Sequence, residues 1–200
     1  MKVFIYDNGL NLTNYVYAVK RTGASVILSK NTALSKYADA LLLTGGGNVN
    51  PHFYKQSVKR LNDVDSATDA AELFLTESFL TARKKIIGVC KGLQILNVYF
   101  GGTLKYVNNH SAVNKNDRFH DIFTFKNTFL RNVYGEKKCV NSAHVMAIDK
   151  LAPELFVSAT SYDGVIEGVY NKKRNVYAVQ FHPERLFKSA CDRFYGYILS

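Results

Sequence analysis

The sequence predicts an α/β domain: a three-layer sandwich on a mostly parallel central sheet, with a small β-rich portion in its second half. Three observations predict it. Short apolar runs alternate with segments of helical periodicity through the first half. The strand candidates are apolar without interruption, as strands are when helices cover both faces of a parallel sheet. The second half then turns to β-rich pieces separated by turn residues such as Asp163-Gly164.

Taken in order, Lys2–Tyr6 is the first strand, and residues 12–21 carry apolar side chains at helical spacing before Gly23. Ser25–Ser29 and Ala40–Leu43 are the next strands. Residues 65–84 form a long helix with Ala71, Leu73, Phe74, Leu75, Phe79 and Leu80 as its buried face. Lys85–Val89 is a fourth strand, followed by a helix over 92–99. The pieces 119–125, 139–142, 155–160, 165–170 and 176–181 are β-rich, and a final helix covers 186–198. Without a repeat, a low-complexity tract or a Pro/Gly-rich linker, residues 1–200 read as one domain.

Composition narrows the function classes. Two hundred residues with 47% apolar and 21% charged content suit one globular core. No stretch approaches the roughly 20 apolar residues of a membrane helix. MKVFIYDNGL reads as a strand and not as a signal peptide, so a cytoplasmic location is expected. The three cysteines, Cys90, Cys139 and Cys191, form neither an even set nor a C-x-x-C pair. They are expected to be free thiols, one with a chemical role and Cys139 and Cys191 buried as small hydrophobes. Twenty-six basic against 16 acidic residues give a net charge of +10. The basic residues are dispersed, with short clusters at Arg83-Lys84-Lys85 and Lys172-Lys173-Arg174 and no nucleic-acid-binding motif. A phosphate-bearing small substrate is compatible with that charge; a nucleic-acid or membrane partner is not expected.

Three pieces carry chemistry. Gly88-Val89-Cys90-Lys91-Gly92 lies between a buried strand and a helix. A nucleophile there stands on a sharp turn at the carboxyl end of the sheet, and the helix N-terminus behind it favours thiolate. Gln180-Phe181-His182-Pro183-Glu184 follows another strand and offers an imidazole base with a carboxylate to fix its tautomer. Leu43-Thr44-Gly45-Gly46-Gly47 brings unobstructed backbone N–H groups to a ligand, yet is neither a dinucleotide fingerprint nor a P-loop. Taken singly, each has a plain structural alternative: a buried cysteine, a capping histidine with a surface glutamate, a simple turn.

Together these pieces resemble the class I glutamine amidotransferases and, within them, the γ-glutamyl hydrolase branch. The strings LLLTGGGNVNPHFY (41–54), GVCKGLQILNVYFGGTL (88–104), VNSAH (140–144), SYDGVIEGV (161–169) and VYAVQFHPE (176–184) occur in family order. The resemblance implies a flavodoxin-like amidotransferase fold and a triad of Cys90, His182 and Glu184. It further implies backbone oxyanion donors at Gly46 and Lys91, and Gln94 holding the glutamyl group. His144, Gly45, Asn141 and Ser142 would lie on the substrate side. The implied reaction cleaves a γ-glutamyl amide through a Cys thioester without a metal or organic cofactor. Two versions stay open: a stand-alone hydrolase, with a leaving group that carries a nucleotide diphosphate, and a glutaminase subunit that feeds ammonia to a separate synthetase. The chain departs from the branch at Asn48, where Asp is usual, at Thr68-Asp69, where Arg-Asp is usual, and near Met146, where Gln is usual. The remaining histidines, His52, His110 and His120, lack metal-ligand spacing and read as ordinary surface or loop residues.

Overall fold

The computed structural model describes residues 1–56, 62–114 and 116–200. One nine-stranded sheet runs through it in the order β2-β1-β3-β4-β11-β10-β9-β6-β7. Here β1 is Lys2–Tyr6, β2 Ser25–Ser29, β3 Ala40–Leu43, β4 Lys85–Val89 and β11 Val176–Val179. These strands pair in parallel. The second half continues the same sheet with β10 (Ile166–Asn171), β9 (Phe156–Ser161), β6 (Arg118–Thr124) and β7 (Lys137–Ser142), all antiparallel to their neighbours. The β-rich portion is therefore an extension of the parallel sheet. A separate ribbon pairs β5 (Leu104–Tyr106) with β8 (Met146–Ile148).

Side-chain alternation divides the core between the two faces. Val3, Ile5, Leu42, Ile87 and Val89 point to one face. There they meet α1 (Thr13–Arg21), α4 (Phe129–Tyr134) and α5 (Lys188–Leu199) through residues such as Val19, Leu130 and Phe194. Phe4, Leu41, Leu43 and Ile86 point to the other, against α2 (Ser66–Thr81) and α3 (Lys91–Tyr99) through Leu75, Phe79, Leu93 and Leu96. Burying a side chain of this kind contributes about 1.5–3 kcal/mol. Asp65 starts α2, its Oδ1 accepting from the N–H groups of Ala67 and Thr68 at 3.0 and 3.2 Å.

The expected elements fall where the sequence places them, with shifted ends, but Phe74, expected on the buried face of α2, is exposed. Beyond short 3-10 turns, three further α-helices or strands exist among the described residues: α4, β5 and β8 are six, three and three residues long, too short to show a period. No helix among the described residues is long and apolar enough to cross a membrane. Cys191 is buried as expected, but Cys139 is exposed, because it points outward from β7 at the edge of the sheet.

Candidate active site

β4 and β11 are parallel neighbours with Val89 beside Val179, so the segments that follow them leave the sheet at one place. Open α/β sheets bind ligands at this carboxyl edge. Cys90 follows β4 as the N-cap of α3, and its N–H donates to the Val179 carbonyl at 2.8 Å. Its φ of 54° lies in the left-handed region, where a non-glycine residue carries about 1–3 kcal/mol of strain. That is the geometry of a nucleophile raised on a strand-to-helix turn. The flanking glycines are steric requirements: a Cβ on Gly92 would collide with the Leu43 carbonyl, and one on Gly88 would lie 2.8 Å from the backbone of Gly92.

His182 follows β11 after Gln180 and Phe181, and Glu184 sits in the 3-10 turn Pro183–Arg185. His182 Nδ1 lies 2.8 Å from Glu184 Oε1, with side chains only 3% and 1% exposed. The Tyr15 hydroxyl from α1 is 3.2 Å from the same Nδ1 and accepts the Gly45 N–H at 2.9 Å. A Cβ on Gly45 would come within 2.8 Å of His182 Cε1 and of the Tyr15 hydroxyl, and 3.6 Å from Cys90 Cβ. Gly45 thus lies where the thiol, imidazole and phenol converge, and only hydrogen fits there.

Burial by itself lowers the pKa of His182. The charges of Cys90 and Glu184, and hydrogen bonds to both, outweigh it and raise the pKa to about 10. These contacts favour the charged form of the ring. Burial holds the Tyr15 hydroxyl well above its usual range, aided by the charges of Glu184 and Cys90, so it stays neutral.

Gly46 and Lys91 are adjacent, since a Cβ on Gly46 would lie 3.1 Å from Lys91 Cδ. Among the described residues neither N–H is taken by a backbone carbonyl. A cleft of about 570 Å³ opens beside them, with Asn8, Asn48, Asp65 and Thr68 on its walls. The Lys91 ammonium is turned into a buried ion-pair cluster, 2.8 Å from Asp69 Oδ1 and 2.7 Å from Glu72 Oε2. Burial pushes Glu72 up to about 7 against the opposing pull of Lys91. Asp69 also accepts the Asn50 N–H at 2.8 Å.

Gln94 is buried and donates its amide to the Met146 carbonyl at 2.8 Å and to Gln180 Oε1 at 3.2 Å. Asn141 is engaged with the backbone of His182 and with Asp117. Ser142 Oγ donates to the His110 carbonyl at 2.8 Å. His144 is buried with Nδ1 on the Met146 carbonyl at 3.0 Å. Thus Cys90, His182, Glu184, Gly45, Gly46 and Lys91 come together, with Gln94 and Asn141 directly behind them. Ser142 and His144 belong to a second cluster, built around Glu167. His110 and His120 are not ordinary surface residues: His110 is buried, His120 is half-buried on β6, and both face Glu167; only His52 is exposed. Sequence reasoning missed Tyr15, which no motif flags. It also missed the Lys91 partners, although Asp69 and Glu72 stand three apart on one helix face.

The chain matches the Peptidase C26 family over residues 6–184. It is 36% identical over 156 residues to the glutamine amidotransferase-like protein YvdE of Lactococcus lactis, covering 73% of this chain and 66% of that protein. It is 27% identical over 146 residues to the gamma-glutamyl-CDP-amidate hydrolase of Campylobacter jejuni, covering 73% and 62% respectively. The chain thus spans slightly less than two thirds of either relative. A crystal structure of a glutamine amidotransferase from Thermotoga maritima superposes with a TM-score of 0.70 at 14% identity, over 92% of this chain and 76% of that one. This last likeness concerns the fold.

Proposed function

Because the chain belongs to the Peptidase C26 family, we propose that it hydrolyses a γ-glutamyl amide through a thioester on Cys90. The observation that carries this reading is the placement of His182, 2.8 Å from Glu184, at the sheet edge where Cys90 is raised on its strained turn. Cys90 attacks the γ-carbonyl as the thiolate. The N–H groups of Gly46 and Lys91 receive the oxyanion, each such donor contributing about 3–4 kcal/mol. His182, as the imidazolium, gives its proton to the departing nitrogen. Neutral His182 then takes a proton from water as it attacks the thioester, and glutamate leaves. Glu184 holds the ring by Nδ1 throughout. Gln94 and Gly45 contact the glutamyl group, and the partner is a small molecule.

The finer reading is that the amide is γ-glutamyl-CDP-amidate, cleaved to glutamate and cytidine diphosphoramidate in capsule polysaccharide modification. The Campylobacter relative of that name and the net charge of +10 support it. The cleft lends no local support, since among its described residues the one cation, Lys91, is already paired with two carboxylates. The test compares kcat/KM of the purified chain for glutamine, a γ-glutamyl anilide and γ-glutamyl-CDP-amidate. A preference for the nucleotide substrate is expected, because binding energy from a remote diphosphate can lower the barrier at the scissile bond. Glutamine turnover only in the presence of a synthetase would replace this reading with a glutaminase subunit.

A further inference from the structure

Behind the proposed active site, four side chains from four separate segments converge. Glu167 lies on β10 and is wholly buried. It sits at an irregularity in the ladder, where Ile166 pairs with Thr160 but Gly168 with the adjacent Ala159. An extra residue at such a bulge has its side chain re-aimed. Three imidazoles face its Oε1: His120 Nε2 at 3.2 Å, His110 Nδ1 at 3.5 Å and His144 Nε2 at 3.7 Å. The ligating atoms of His110, His120 and Glu167 all lie within 4.8 Å of one another.

The outward hydrogen bonds fix the protons of two rings. His144 Nδ1 meets the Met146 carbonyl at 3.0 Å, and a carbonyl only accepts, so Nδ1 carries the proton. His110 Nε2 meets Asp163 Oδ2 at 3.0 Å and donates for the same reason. In the neutral rings the inner nitrogens, His144 Nε2 and His110 Nδ1, are then bare lone pairs directed at a carboxylate oxygen. Ser142 Oγ, 3.3 Å from His110 Nδ1, supplies no proton there, because it donates to the His110 carbonyl at 2.8 Å. Four buried atoms of the cluster, His120 Nε2, His144 Nε2 and both Glu167 carboxylate oxygens, make no hydrogen bond of good geometry among the described residues, although His120 Nε2 at 3.2 Å is within donating distance of Glu167 Oε1. Lone pairs that face one another in a dry interior repel, and orphaned polar atoms there cost about 1–3 kcal/mol each.

We propose that His110 Nδ1, His120 Nε2 and Glu167 form the core of a binding site for a divalent cation of the zinc class, which His144 Nε2, outside that trio but 3.7 Å from the Glu167 oxygen, completes. Zinc binds imidazole and carboxylate at about 2.0–2.2 Å, which puts neighbouring ligand atoms of a tetrahedron about 3.3–3.6 Å apart. The three nitrogen-to-oxygen separations bracket that edge. Metal-bound histidines characteristically give their other N–H to a carboxylate or a backbone carbonyl, which is what Asp163 and Met146 accept here. Imidazole and carboxylate donors with no thiolate suit zinc better than copper(I) or calcium. The ion takes a structural part: it joins β6, β10 and the segments around His110 and His144. The Met146 carbonyl that orients His144 also holds Gln94, so the metal braces the wall behind the proposed active site.

The test titrates the whole protein in a Cys90→Ser background, which removes the reactive thiol as a competing ligand, with Co²⁺ as a spectroscopic probe and then Zn²⁺. One Co²⁺ per chain with an intense tetrahedral d–d spectrum is expected, displaced by one Zn²⁺, together with a rise in Tm on loading. His120→Asn alters the most exposed ligand and should weaken binding by about a hundredfold or more; Asp163→Asn should weaken it about tenfold. Absence of saturable binding at one equivalent overturns the proposal. So does Co²⁺ binding that His120→Asn leaves unchanged, or that occurs only when Cys90 is intact. Should His120→Asn fail to fold, the stoichiometry and spectrum of the Cys90→Ser protein decide alone. None of these readouts depends on the substrate or on activity.

Discussion

Asn141 holds the backbone of His182 from both sides: its Oδ1 accepts the His182 N–H at 2.9 Å and its Nδ2 donates to the His182 carbonyl at 3.1 Å. This is the pairing one strand would offer another, made by a side chain where β11 has ended. Asn141→Asp replaces a donor with an acceptor facing a carbonyl. We expect kcat to fall about 10- to 100-fold with KM little changed, because the ring moves while the glutamyl contacts remain. A rise in KM at constant kcat would instead assign Asn141 to substrate binding.

Tyr15→Phe removes the hydroxyl that joins the Gly45 N–H to His182 Nδ1. The buried Gly45 N–H then has no acceptor, a loss of about 1–3 kcal/mol. Chemical denaturation should show that loss, and turnover should fall about tenfold or more. An unchanged midpoint and unchanged rate would reduce Tyr15 to packing.

The pKa of His182, raised to about 10, sets the pH response. A histidine whose folded pKa exceeds its unfolded value contributes stability that is fully present below the unfolded value. That stability is lost as pH rises through the folded one. The interaction of His182 with Cys90 and Glu184 should therefore persist through neutrality and fade toward pH 10. The alkaline limb of kcat/KM should lie far above the ordinary histidine range. NMR titration should show the ring pKa dropping in Cys90→Ala, since the Cys90 charge is the largest influence raising it. A ring that titrates near its unperturbed value in the unmodified protein would contradict this.

Lys91→Met leaves Asp69 and Glu72 buried together without their cation. Removing one partner from a buried cluster costs about 3–5 kcal/mol. The fall in the denaturation midpoint should be partly recovered by adding Glu72→Gln, which removes one of the two stranded charges. Equal stability of Lys91→Met and the parent chain would show the cluster to be solvated.

What the sequence disclosed is local. Cys90 follows an apolar run and lies between glycines that only a tight strand-to-helix turn needs, and His182 and Glu184 follow another such run, so each is readable within a few residues. The long helices and most strands announce themselves by period. What stayed hidden depends on pairing across distance. Nothing in a window around Tyr15 points to an imidazole 167 positions away. His110, His120 and His144 lack ligand spacing along the chain because the antiparallel extension, not one helix or hairpin, brings them to Glu167. The brief α4, β5 and β8 hold too few residues for any period to emerge. The task of Asp69 shows only in three dimensions, where the Lys91 ammonium points at it.

The order of strands also has a consequence for the chain as it is made. β11 is the last strand in sequence, yet it lies in the middle of the sheet, between β4 and β10. A nascent chain that has completed β4 can assemble β2, β1, β3 and β4, but β4 then presents a bare, apolar edge until roughly ninety more residues have followed it. Exposed edges of this kind invite pairing with other chains, and their late closure slows folding. The same insertion brings His182 to Cys90. The thiol therefore meets the neighbouring imidazole only in the step that seals the sheet, and a partly synthesised chain carries the cysteine without it.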